Sequence, residues 1–142
     1  MKNKYLLFIL LMPLFFSASS IIKTEKRIAL VIGNSNYDIN DLDLKNPVND
    51  ADSMANVLSK EMGFEVITVK NGKKKEIRSA LNRFDNQNRN IDKTRYNVVA
   101  LFYYSGHGMR VNNINYIIPT DAYIQSPADL EEFAINSDWI VG

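Results

Sequence analysis

A chain of 142 residues, 46% hydrophobic and 23% charged, has room for one domain with a buried core and excludes a disordered or low-complexity protein. The formal net charge is +1, or −1 once Lys2 and Lys4 leave with a leader, which excludes a nucleic-acid or acidic-membrane surface as the organising feature. There is no cysteine, so these residues hold no disulfide and no lipid-anchored N-terminus.

Met1-Lys2-Asn3-Lys4 is a basic start, Tyr5 to Phe16 is apolar, and Ser17-Ala18-Ser19-Ser20 offers small residues for cleavage. The pattern predicts a signal peptide over residues 1–20 and export to the periplasm or beyond. The apolar stretch is shorter than the ~20 residues of a spanning helix, so no permanent membrane span is expected. Residues 21–26 read as a linker and 27–142 as the domain.

Arg27 to Gly33 (RIALVIG) is a continuous apolar run and predicts a strand buried on both faces. Asn34 to Lys45 is polar and predicts a long loop at that strand's C-terminal end. Asn46-Pro47 predicts a helix start, with Asn as N-cap and Pro at the first position. Val48, Ala51, Met54, Ala55, Leu58 and Met62 form its apolar face, and Gly63 its stop. Phe64 to Val69 predicts a second strand and Asn71-Gly72 a turn. Lys73 to about Phe84 predicts a second helix, with Ile77, Ala80, Leu81 and Phe84 inward. Asp85 to Tyr96 reads as a surface connection. Asn97 to Phe102 (NVVALF) then predicts another buried strand.

Asn112-Asn113 reads as a turn and Asn115 to Pro119 as a short strand, one arm of a small hairpin. Ser126-Pro127 suits a short helix, Phe133 to Ile135 an extended piece, and Asn136 to Trp139 another helix start. The order β-α-β-α-β predicts an α/β fold, with a mostly parallel sheet flanked by helices on both faces.

The only histidine, His107, follows the last long strand within Tyr103-Tyr104-Ser105-Gly106-His107-Gly108. The C-terminal ends of strands are where an open α/β sheet places its chemistry. Alone, a histidine is more often structural or surface-exposed; the two flanking glycines at a strand end favour a site. Ser105, two residues earlier on the same tight loop, is expected to point away from the imidazole and not to replace a missing nucleophile. Tyr103 and Tyr104 read as strand-end packing. Asp41, Asp43, Asp50 and Asp52 lack the glycine and terminal glutamate of an EF-hand loop and read as solvated acids. Asp121 reads as a turn acid bonding nearby backbone N–H groups.

Four segments carry a family resemblance: IALVIGNSNY (Ile28–Tyr37), NPVNDA (Asn46–Ala51), LFYYSGHG (Leu101–Gly108) and NYIIPTDA (Asn115–Ala122). In that order and spacing the chain resembles caspase-like cysteine proteases, in particular the bacterial metacaspase and paracaspase-like group, from Arg27 to about Ile140. No one of these motifs is specific alone; the four together are. The resemblance implies a caspase–haemoglobinase fold with a Cys-His dyad at the ends of neighbouring strands. It implies that His107 is the base and the Gly108 N–H an oxyanion donor, and that a peptide or protein is the substrate; the residues themselves suggest no cofactor and no metal site. It also implies that Asp50 binds a basic side chain, giving cleavage after Arg or Lys. Beside that stands a plain structural role, since a carboxylate at a helix N-terminus is worth roughly 0.3–1 kcal/mol.

The family cysteine lies about 50 residues after the histidine in the caspase signature, on the next strand. Here 35 residues follow His107 and none is cysteine. The chain is therefore expected to be the histidine-bearing half, truncated before the nucleophile and inactive as written. The alternatives are a non-catalytic, peptide-binding module, or half of a split protease completed by a partner chain. A further expectation is that the strand carrying His107 has an exposed edge.

Overall fold

The computed structural model describes residues 23–39 and 41–141. The expected signal peptide lies outside the described residues.

The first strand, β1 (Thr24–Gly33), is the centre of a parallel three-stranded sheet in the order β2-β1-β3, with β2 at Glu65–Lys70 and β3 at Tyr96–Ser105. Ile28 to Gly33 is buried, as the apolar run predicts. β1 starts earlier than expected: Thr24 to Lys26, read from sequence as linker, pair with Tyr96 to Val98 of β3.

The two faces of β1 take one helix each. Ala29 and Val31 pack against Ala51 and Leu58 of α1 (Pro47–Lys60). Ile28, Leu30 and Ile32 pack against Ile77, Ala80, Leu81 and Phe84 of α2 (Lys74–Asn90). Strand alternation thus sends odd residues to one helix and even residues to the other.

Asn46 holds the N-cap position of α1, but its side chain makes no cap bond. The hydroxyl of Ser35 accepts from Val48 N–H instead, at 3.1 Å, so the loop after β1 caps the helix. At the other end Gly63 takes φ +69° and turns the chain out. Met62 therefore leaves the apolar face and is 45% exposed, while its carbonyl accepts from Arg27 at 2.7 Å.

α2 runs six residues past Phe84, through much of the expected surface connection. The cause is visible after the fact: Ile91 follows Phe84 by seven residues and packs on the same core, and Arg89 pairs with Asp85 four residues back.

β3 corrects a second expectation. It is an edge strand of the described sheet and only half-buried, with Val99 38% exposed. The apolar run that predicts burial instead faces, in part, an open edge and thinly covered faces.

Beyond β3 the chain forms a small antiparallel sheet, β4 (Gly108–Val111), β5 (Ile114–Ile117) and β6 (Ile135–Asn136). Asn112 and Asn113, both at positive φ, make the tight hairpin turn. Two short helices, α3 (Asp129–Phe133) and α4 (Asp138–Val141), complete the described chain. Ile118, Ala122, Leu130 and Ala134 close a small second core against Tyr37 in the loop after β1.

Candidate functional site

Three segments meet at the C-terminal end of the parallel sheet. The loop after β1 brings Tyr37 and Leu42, the first turn of α1 brings Asp50, and the link from β3 to β4 brings His107. That loop is fixed by a side chain from elsewhere: Asn71, at the turn after β2, accepts from Ser35 N–H at 2.8 Å and Asn36 N–H at 3.0 Å. Asp43 accepts from Tyr37 N–H at 2.8 Å.

The His107 ring is half-buried and doubly held. Its Nε2 lies 2.7 Å from the Leu42 carbonyl oxygen. A carbonyl only accepts, so Nε2 carries the proton, and in the neutral ring Nδ1 is left as the free lone pair. The Tyr37 ring packs against the imidazole at 4.8 Å between centroids, tilted by 58°.

Gly108 begins β4 opposite Ile117. The bond from Ile118 N–H to the His107 carbonyl, at 3.1 Å, brackets that pair as a non-hydrogen-bonded one. The peptide groups of such a residue point away from the partner strand, so the Gly108 N–H is directed off β5, one residue from the imidazole. A Cβ at Gly108 would meet only the Tyr116 carbonyl oxygen, at 3.4 Å. Nothing inside the fold demands glycine there.

Asp50 is exposed, and Ser105 donates to its Oδ2 at 3.4 Å, a long contact. Ser105 therefore faces α1 and not the imidazole, as its place on the loop predicts. The sequence-derived residues Asp50, Ser105, His107 and Gly108 share one end of the sheet. Asp121 stands apart and accepts from Lys74 N–H at 2.8 Å, a structural role. Among the described residues no three acidic or histidine side chains gather as a metal site. Cavities of about 650 Å³ between β1 and the end of α2, and about 610 Å³ beside the start of α2, include neither His107 nor Asp50.

A family model described as a caspase domain matches residues 26–139. The chain belongs to the caspase-domain family. No curated protein matches it. The parallel sheet with a helix on each face is the expected caspase-like fold, and a caspase-type peptidase domain implies a protein substrate. No helix among the described residues is long and apolar enough to cross a membrane. The 142 residues of this caspase-domain chain contain no thiol.

Sequence reasoning missed three contributors. Leu42 acts through its carbonyl, which no side-chain pattern announces. Tyr37 and Tyr104 act through hydroxyls: Tyr37 accepts from His107 N–H at 2.9 Å, and Tyr104 donates to the His107 carbonyl at 2.8 Å. The tyrosine pair beside the only histidine was the available signal for Tyr104.

Burial, then its contact with Tyr37, pushes the Tyr104 phenol far above the ordinary tyrosine range. In the unfolded chain the same phenol loses its proton near pH 10. Above that pH the folded state binds more protons, so Tyr104 favours folding below about pH 10 and its contribution is lost as pH rises. The expected cost is about 1.4 kcal/mol per pH unit above pH 10. Urea melts over roughly pH 9 to 12 should show a shallower decline in Tyr104→Phe than in the parent.

Proposed function

We propose that this chain is the histidine-bearing half of a caspase-type cysteine endopeptidase site of the metacaspase or paracaspase kind, directed to peptide bonds after Arg or Lys. One observation carries the reading: the 2.7 Å contact of His107 Nε2 with the Leu42 carbonyl leaves Nδ1 as the basic atom at the C-terminal sheet edge.

In this reading a cysteine thiol from outside these 142 residues gives its proton to His107 Nδ1, and the thiolate attacks the scissile carbonyl carbon. The Gly108 N–H hydrogen-bonds the oxyanion that forms; loss of one such donor typically costs about 100- to 1000-fold in rate. The imidazolium then protonates the leaving amine as the C–N bond breaks. Water, deprotonated by the same ring, hydrolyses the thioester. Asp50, with Ser105 beside it, holds the guanidinium or ammonium of the residue before the cut. Supplied with no thiol, the chain by itself turns over no peptide. The leader pattern of residues 1–20 supports export, and with it a site of action outside the cytoplasm.

The substrate half of the reading is testable without catalysis. A short peptide ending in an Arg amide should perturb the NMR signals of Ser105 and His107, and an Asp-ended analogue should not. Asp50→Asn is expected to weaken the Arg peptide by about tenfold, the scale of a charge-assisted pair. Equal binding of both peptides, or no change in Asp50→Asn, would remove Asp50 from the site.

A further inference from the structure

His107 sits between two glycines, so the backbone is freest where the imidazole most needs to be held. It also sits where an antiparallel ladder breaks. Opposite each other, His107 and Ile118 would ordinarily exchange two backbone hydrogen bonds. One is made, from Ile118 N–H to the His107 carbonyl. In place of the other, His107 N–H donates to the Tyr37 hydroxyl at 2.9 Å. The Ile118 carbonyl accepts from the Tyr104 hydroxyl at 3.1 Å and the Asn34 amide at 3.3 Å.

Tyr37 accepts from His107 N–H. Tyr104 donates to the His107 carbonyl at 2.8 Å, with the Ile118 carbonyl sharing the same proton at 3.1 Å. The pair of hydroxyls thus holds both peptide groups of His107. Gly106 makes room for it: a Cβ there would lie 2.5 Å from the Tyr104 oxygen and 2.9 Å from that of Tyr37.

We infer that Tyr37 and Tyr104 are positioning residues for His107: the Tyr37 hydroxyl holds its N–H and the Tyr104 hydroxyl its C=O, while the Tyr37 ring orients the imidazole toward the Leu42 carbonyl. The inference rests on the reading of His107 as the base and adds to it the device that fixes its tautomer. Both hydroxyls bond to the peptide groups of His107 and not to its ring nitrogens.

Because His107 is the only histidine, imidazole ¹⁵N spectra of the whole chain report on it alone. Tyr37→Phe keeps the ring and removes one hydroxyl. It should speed amide exchange at His107 about tenfold and raise the Nδ1-protonated tautomer, with Leu30 and Val31 amides as the reference for global stability. Tyr104→Phe should speed His107 about threefold, since Tyr37 can still accept its N–H. Tyr37→Leu, lacking the ring, should mix the tautomers further than Tyr37→Phe. The inference is overturned if the tautomer ratio holds and His107 exchange changes only in step with Leu30 and Val31. A parent ring already protonated at Nδ1 would instead remove the proposed base, while amide exchange still decides the clamp.

Discussion

Asn34→Ala is expected to cost the fold about 3–5 kcal/mol, a large share of the total stability of a small domain. Asn34 is wholly buried one residue past β1. Its Oδ1 accepts from Gly72 N–H at 2.9 Å, and its Nδ2 reaches the carbonyls of Ile118 at 3.3 Å and Gly72 at 3.4 Å. One side chain thus joins the end of β1, the turn after β2 and the residue after β5. Alanine removes these bonds, together worth about 2 kcal/mol net because the two Nδ2 contacts are long, and leaves Gly72 N–H buried without a partner at about 1–3 kcal/mol more. A thermal melt should fall by more than about 10 °C. Asn34→Asp decides the cause. The carboxylate keeps an acceptor for Gly72 N–H, but turns an anionic oxygen toward two carbonyl oxygens in a buried site. It should be at least as damaging as alanine. Near-parental stability for this isosteric change would mean that Asn34 only fills space.

Asn34 marks the boundary of what could be read from the chain. β1, α1, α2 and the Asn112-Asn113 hairpin were legible because each is a local pattern: an apolar run, a three-to-four-residue stripe, a turn pair. The place of His107 at a strand end followed from Asn97 to Phe102, and the four motif segments pointed to the caspase-like fold. What stayed hidden depends on partners far along the chain. Asn34 looked like the first residue of a polar loop, yet it is the polar hub of the core. Asn46 looked like a cap, but Ser35, eleven residues earlier, supplies the oxygen. Tyr104 looked like packing, yet its hydroxyl holds the His107 carbonyl. The half-exposure of β3 escaped the pattern because an apolar run states what a strand could bury, not what covers it.

Gly33→Ala is expected to destabilise by about 2–4 kcal/mol and to disable the proposed basic-peptide subsite with it. Gly33 ends β1 between Lys70 of β2 and Ser105 of β3, directly under the first turn of α1. A Cβ there would overlap the Pro47 carbonyl oxygen and lie 2.7 Å from the Ala51 Cβ. Both obstacles belong to the same helical turn, so neither can yield alone and α1 must back away from the sheet. Asp50 rides on that turn, between them. A shift of about 1 Å would break its already long contact with Ser105, since hydrogen bonds weaken steeply with distance and angle. The Arg-ended peptide should then bind about tenfold more weakly at a temperature where the variant is still folded, the same loss expected of Asp50→Asn. Gly108→Ala is the matched control for the fold: its Cβ meets one oxygen at 3.4 Å, and melting should stay within about 1 kcal/mol of the parent. If Gly33→Ala melts and binds like the parent, α1 has slack against β1, and the position of Asp50 is set by something other than this contact.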